Sequence, residues 1–182
     1  MNKKVLLVIA IIVLVGSFTL AAAVPSVFDI GLINSYSIQS FMDKDFGDYS
    51  PGVRLSGYLC KWFGVSADVT AFAPFTYGLE GGKFLLEVGA DGIFRYPFGL
   101  VEPYLAIGPA YRMVVEEDGF EFVEQVLFSA RAGFDFNILP MLGVGIEARY
   151  FLNLPDLIHD FTKFEDDVFY NTRVALTVKA KF

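Results

Sequence analysis

The sequence is poor in the residues that most often carry chemistry: it has one Cys, one His and one Trp in 182 residues. The lone Cys60 has no intrachain partner, which excludes a disulfide framework. Basic residues are also in deficit, with 14 Lys and Arg against 21 Asp and Glu and a net charge of −7. That balance argues against a basic surface for nucleic acid. Sustained helical periodicity is missing too, and the one long hydrophobic run lies at the start of the chain. What is abundant is aromatic: 20 Phe and nine Tyr.

Residues 1–23 read as an export signal. Lys3 and Lys4 precede an apolar run from Val5 to Val15 that continues to Leu20, and Ala21, Ala22 and Ala23 supply a small-residue cleavage site. The run is shorter than the roughly 20 apolar residues of a spanning helix. Cleavage after Ala23 leaves residues 24–182 as one domain and removes two of the basic residues but none of the acidic ones, which deepens the negative charge.

Along that domain the recurring period is two, the period of a β-strand. Between Lys83 and Tyr96, the residues Phe84, Leu86, Val88, Ala90, Gly92, Phe94 and Tyr96 share one face. Lys83, Glu87, Asp91 and Arg95 fall on the other. The same alternation runs over 126–137, 142–152 and 171–182, and less cleanly over 28–38, 52–63, 65–73 and 104–115. Eight antiparallel strands are therefore expected.

A soluble barrel points its apolar face inward, and two features predict the inverse here. The polar face is rich in Gly, Ser and Ala, as a narrow lumen requires, and its charges nearly balance. Arg54, Arg95, Arg112, Arg131, Arg149, Arg173 and Lys179 are set against Asp68, Glu87, Asp91, Asp135 and Glu147 as an expected lumen ion-pair network, with Asp29, Lys83 and Lys181 on the same face. The apolar face carries aromatics at both strand ends: Phe28, Phe63, Phe94, Tyr96, Phe134, Phe136 and Phe182 at one, Tyr36, Phe84, Tyr111 and Tyr150 at the other. That is the pattern of two membrane girdles. Tyr58, Trp62, Phe72, Tyr104 and Phe151 are expected in the lumen, plugging it.

The connections alternate in length. Those at 39–51, 74–82, 116–124 and 153–169 are long, and those at 61–64, 97–103 and 138–141 are short, as in an up-and-down transmembrane barrel with both termini on the short-turn side. Pro109 falls inside a strand, where it removes a ladder donor, so a bulge or local bend is expected there.

Three stretches carry a family resemblance. "PYLAIGPAYRM" (103–113), "AGFDFNILPMLGVGIEARYFL" (132–152) and the final "VALTVKAKF" resemble strands of the small eight-stranded outer-membrane barrels of the outer membrane protein A and X type. The resemblance implies an outer-membrane location, lipid as the surrounding partner, and Phe182 as an assembly signal read by the barrel-assembly machinery. The peptidoglycan-binding domain that follows the barrel in many such proteins has no counterpart in this sequence, so cell-wall tethering is not implied.

Some barrels of this kind act on lipid through a His with Ser or an acid. Here His159, flanked by Asp156 and Asp160 in "PDLIHDFTKFEDD", would have to borrow Ser40 or Ser50 from another loop. A solvated loop His is the simpler reading, and the chain is read as no enzyme, with no cofactor and no catalytic residue. The long loops are strongly acidic, opposed only by Lys44 and Lys163. Asp43, Asp45 and Asp48 in "MDKDFGD" and Glu165, Asp166 and Asp167 in "FEDD" are candidate weak divalent-cation sites without ordered calcium-loop spacing. The expected role is structural or surface interaction with an unassigned partner. A narrow pore, a lipid-modifying enzyme and a soluble secreted ligand-binding barrel are the alternatives.

Overall fold

The computed structural model describes residues 26–43, 49–72, 84–116, 119–153 and 172–182. Strands β1 (Phe28–Ser37), β2 (Ser50–Tyr58), β3 (Phe63–Phe72), β4 (Phe84–Arg95), β5 (Val101–Glu116), β6 (Gly119–Leu139), β7 (Leu142–Asn153) and β8 (Thr172–Lys181) form a closed barrel in sequence order. Every pair is antiparallel, and β1 closes on β8 in one register from Asp29↔Lys181 to Ser37↔Arg173. Closure leaves no free strand edge, so the backbone polar groups of the wall pair within it wherever the ladders run.

The period-two pattern sorts the side chains in the inverted sense. On β8, Arg173, Ala175, Thr177, Lys179 and Lys181 are buried, while Val174, Leu176 and Val178 are 41%, 56% and 41% exposed. On β6 the buried set is Leu127, Ser129, Arg131, Gly133, Asp135 and Asn137, and Phe134 and Phe136 stand outside. Charges and hydroxyls fill the interior and hydrocarbon covers the wall. At the short-turn end Phe28, Phe63, Phe94, Tyr96, Phe134, Phe136 and Phe182 are all exposed, and Phe63 and Phe94 lie with ring centroids 5.2 Å apart.

Several details differ from the sequence reading. A six-residue helix, α1 (Ile38–Asp43), opens the first long connection and is too short to leave a periodic signal. The β5–β6 connection, expected over 116–124, is a strand hairpin continuing to Glu116↔Gly119. Its register shifts between Tyr111 and Met113, where β6 carries extra residues opposite Arg112. That shift takes the place of the bulge expected at Pro109, which itself pairs in register with Phe128. The ladder to β4 lapses over Ala90 and Asp91 opposite Gly108 and Pro109, then resumes in the same register, so the missing N–H opens the ladder without slipping it.

β2 ends at Tyr58, so the turn occupies 59–62 and takes Trp62 out of the lumen. The indole packs instead on the outer girdle, edge to face with Tyr96 at 5.4 Å and 6.3 Å from Phe94. Backbone dictates glycine most plainly at Gly99 and Gly108. Gly99 has φ 62° in the β4–β5 turn, a left-handed value that costs a side chain strain. At Gly108 the β4 backbone comes so close that a Cβ would overlap the Ala90 carbonyl oxygen and lie 2.7 Å from the Asp91 Cα.

Candidate functional site: the polar lumen

The inward residues meet across the barrel rather than along one strand, and they stack in three layers. In the layer next to the short turns, Glu102 on β5 takes Arg95 from β4 and Lys181 from β8, each at 2.9 Å, and an N–H of Asn137 at 3.1 Å. Arg95 also donates to the Ser26 hydroxyl at 3.0 Å, to the Ser26 carbonyl and to the Lys61 carbonyl at 3.2 Å. Its guanidinium lies 3.3 Å over the ring of Tyr58, whose hydroxyl donates to Asp29 at 3.0 Å. Nearly every donor of the guanidinium fork is used. The arginine thereby ties Ser26 into the mouth of the barrel.

In the middle layer Arg54 on β2 and Glu147 on β7 form a two-pronged pair at 2.7 and 2.8 Å. Tyr104 donates its hydroxyl to the same carboxylate, and Arg131 approaches it at 3.6 Å. Lys179 holds Asp135 at 2.6 Å and lies 4.6 Å over the Tyr104 ring.

In the third layer Asp68 takes Arg149 at 2.8 Å and Arg54 at 3.5 Å, and Asp91 takes Arg131 at 2.9 Å and the Ser129 hydroxyl at 2.8 Å. Glu87 gathers Arg112 at 3.1 Å and Arg173 at 3.5 Å. The Phe151 ring lies between Arg112, Arg149 and Arg173, whose guanidinium carbons are 5.4, 4.8 and 5.0 Å from its centre. All twelve lumen residues predicted from the sequence thus lie inside the barrel with an oppositely charged partner.

Glu102 is the member that sequence reasoning missed. It was assigned to the 97–103 turn, but β5 begins at Val101, which gives Glu102 the same parity as the buried Tyr104 and Ala106. Extending the 104–115 alternation backwards by one step would have found it. Phe72 and Lys83, expected inward, have side chains outside the described set. So do Asp45, Asp48, Glu165, Asp166 and Asp167, and Asp43 closes α1 with its side chain likewise undescribed.

Chemically the lumen is a network of ion pairs and hydrogen bonds. The Ser129 hydroxyl donates to Asp91 and accepts from Arg149 at 3.3 Å. Ser50 is fully buried, and its carbonyl accepts from the Ser35 hydroxyl at 2.9 Å; His159 lies outside the described residues. Among the described residues no group of three His, Cys, Asp or Glu side chains is placed to hold a metal ion. A cavity of about 10 Å³ beside Glu87, Glu147 and Arg173 has room for about one water.

No protein-family model and no curated protein matches the sequence. Solved structures match it in fold. The N-terminal β-barrel domain of Pseudomonas aeruginosa OprF superposes with a TM-score of 0.59 at 11% identity, over 85% of this chain and 96% of that one. This is the fold of the small eight-stranded outer-membrane barrels. The Yersinia pestis outer membrane protein Ail, solved in a phospholipid bilayer nanodisc, gives 0.51 at 16% identity over 86% and 99% of the two chains. A de novo designed transmembrane β-barrel gives 0.50 at 15% identity over 87% and 98%. A designed barrel matches nearly as well as Ail, so the likeness speaks for architecture and not for activity.

Proposed function

We propose that this protein spans the outer membrane as a plugged β-barrel with a structural or surface-interaction role, its lumen serving stability rather than transport or catalysis. One observation carries the reading: the wall is inverted, with hydrocarbon outside and paired ions inside. In water that arrangement would strand an apolar surface far larger than soluble monomers expose. In a bilayer it satisfies both faces. In this reading residues 1–23 direct export, and 24–182 form the barrel.

The crossing contacts support the plug. Arg54 reaches Glu147 on the far side, Arg149 reaches Asp68, and Arg173 reaches Glu87, so side chains span the bore in the middle and third layers. Eight strands leave an interior that side chains can fill. Function at the surface then falls to the acidic connections opposite the short turns, where the clusters around Asp45 and Asp166 would gather divalent cations. Phe182, packed 6.3 Å from Phe28 at the β1–β8 seam, is assigned to recognition by the barrel-assembly machinery.

The test is fractionation of the exported protein with and without boiling before electrophoresis. Recovery in the outer membrane with heat-dependent mobility is expected. Recovery in the soluble periplasmic fraction with unchanged mobility would sink the reading.

A further inference from the structure

The short-turn end of the barrel carries an apolar surface beyond the girdle. Leu59 is 86% exposed, Phe98 66% and Met141 62%, one from each of the three short turns, and Val27 and Leu139 are exposed beside them. In the turn segments 59–62, 96–100 and 140–141 the single charged residue is Lys61. A turn standing in water would be expected to carry polar side chains. These tips also ring the whole circumference, recurring at β2–β3, β4–β5 and β6–β7. A protein partner would mark one side of a rim; a medium that surrounds the barrel marks all of it.

The backbone of the turns points the same way. The Lys61 carbonyl accepts from Arg95, the Trp62 carbonyl from the Arg95 amide at 2.8 Å, the Leu100 carbonyl from the Asn137 amide at 2.8 Å and the Met141 carbonyl from the Lys181 amide at 3.0 Å. Phe98 and Val101 exchange both of their amide bonds, at 3.0 and 3.2 Å. Water would satisfy such carbonyls at no structural expense, whereas hydrocarbon demands that they be satisfied internally. Beneath the tips the indole of Trp62 is continuous with Phe94 and Tyr96, and the Lys61 ammonium lies 5.2 Å from its ring. A lysine on an apolar stem beside an indole suits the phosphate level of a phospholipid leaflet.

We propose that the short-turn rim is itself immersed in the adjoining phospholipid leaflet, with Leu59, Phe98 and Met141 at the boundary of headgroups and acyl chains and Lys61 directed to lipid phosphate. The barrel is thus seated deeper on this side than its girdle alone requires. This rests on the membrane reading above, and the experiment separates the two.

Trp62 is the sole Trp of the chain, so it reports depth without mutation. The protein is inserted into phosphatidylethanolamine and phosphatidylglycerol vesicles, its insertion is checked by flotation, and Trp62 fluorescence is followed. Lipids brominated near the headgroup end of the acyl chain are compared with aqueous iodide as quenchers. The expected result is loss of emission to the brominated lipid and little to iodide. The variant carrying Leu59→Ser, Phe98→Ser and Met141→Ser should shift that balance toward iodide. Flotation with Trp62 open to iodide and untouched by bromolipid would overturn the immersed rim and leave the membrane reading standing. Failure to float would overturn both.

Discussion

Arg54 and Glu147 face each other across the bore from β2 and β7, joined by two parallel N–H···O bonds of 2.7 and 2.8 Å. Both side chains are almost wholly buried, and Tyr104 and Arg131 crowd the same carboxylate. The pair therefore sets the cost of disturbing the middle layer of the lumen.

Removing one partner leaves the other charge buried without its counter-ion, at about 3–5 kcal/mol. Glu147→Ala and Arg54→Ala should each lower the denaturant midpoint of the vesicle-inserted barrel by an amount in that range. The double substitution should cost clearly less than the sum of the two singles. Strict additivity in equilibrium unfolding would show that the pair does not act as a unit.

Glycine substitutions should separate by backbone approach rather than by strand membership. At Gly108 an added Cβ would strike the β4 backbone, and at Gly133 it would lie 2.7 Å from the Ile146 carbonyl and from Tyr104. Gly92 meets nothing nearer than 3.9 Å, and Gly57 nothing within 4 Å. Gly108→Ala is expected to abolish the heat-modifiable folded band and Gly133→Ala to weaken it by displacing Tyr104 from Glu147. Gly92→Ala should stay within roughly 0.5 kcal/mol of the native protein. Equal behaviour of Gly108→Ala and Gly92→Ala in a gel-shift folding assay would refute the close approach of β4 and β5.

On β8 the two faces should respond oppositely to one charge. Leu176 stands outside, mid-strand, while its neighbours Ala175 and Thr177 are buried in the polar lumen. Leu176→Arg is expected to cost about 2–4 kcal/mol in a bilayer, as lipid-facing Arg does near the midplane. Leu176→Phe, which keeps the surface apolar, should be near neutral. Unfolding titrations in vesicles check both, and an innocuous Leu176→Arg would mean that this face does not meet hydrocarbon.

Much of this architecture is legible because a strand repeats its environment every second residue. Once Glu87, Asp91 and Arg95 share a parity, Val88 and Phe94 must lie on the opposite face, and one register satisfies all of them. Ends are harder, since a turn breaks the period that identifies a strand. Trp62 and Glu102 both sit within a residue or two of such a break, and each was placed on the wrong side of it. Partners across the bore are harder still. Arg54 is 93 positions from Glu147, and only barrel closure decides that they meet and not Arg54 with Asp91. The irregularity at Arg112 was misassigned for a related reason: a proline announces a missing donor, but extra residues in β6 leave no compositional mark.

The proposed plug also predicts how conduction would respond to mutation. A path through the bore must pass the Arg54–Glu147 layer and, separately, the layer in which Arg95, Lys181 and Asn137 converge on Glu102. On the proposed reading, clearing one layer leaves the others closed, because they use different residues and Arg95 also holds Ser26 in the mouth. In planar bilayers the native barrel should show no sustained open level, and Arg54→Ala with Glu147→Ala should remain electrically quiet despite its lower stability. Adding Arg95→Ala and Glu102→Ala to that pair should still leave it quiet, because Phe151 among Arg112, Arg149 and Arg173 remains. Steady small currents are expected only when Phe151→Ala and Arg149→Ala are added as well. A native protein that opens and stays open at low voltage would mean the crossing ion pairs do not close the bore, and the lumen would have to be read as a pathway instead of a plug.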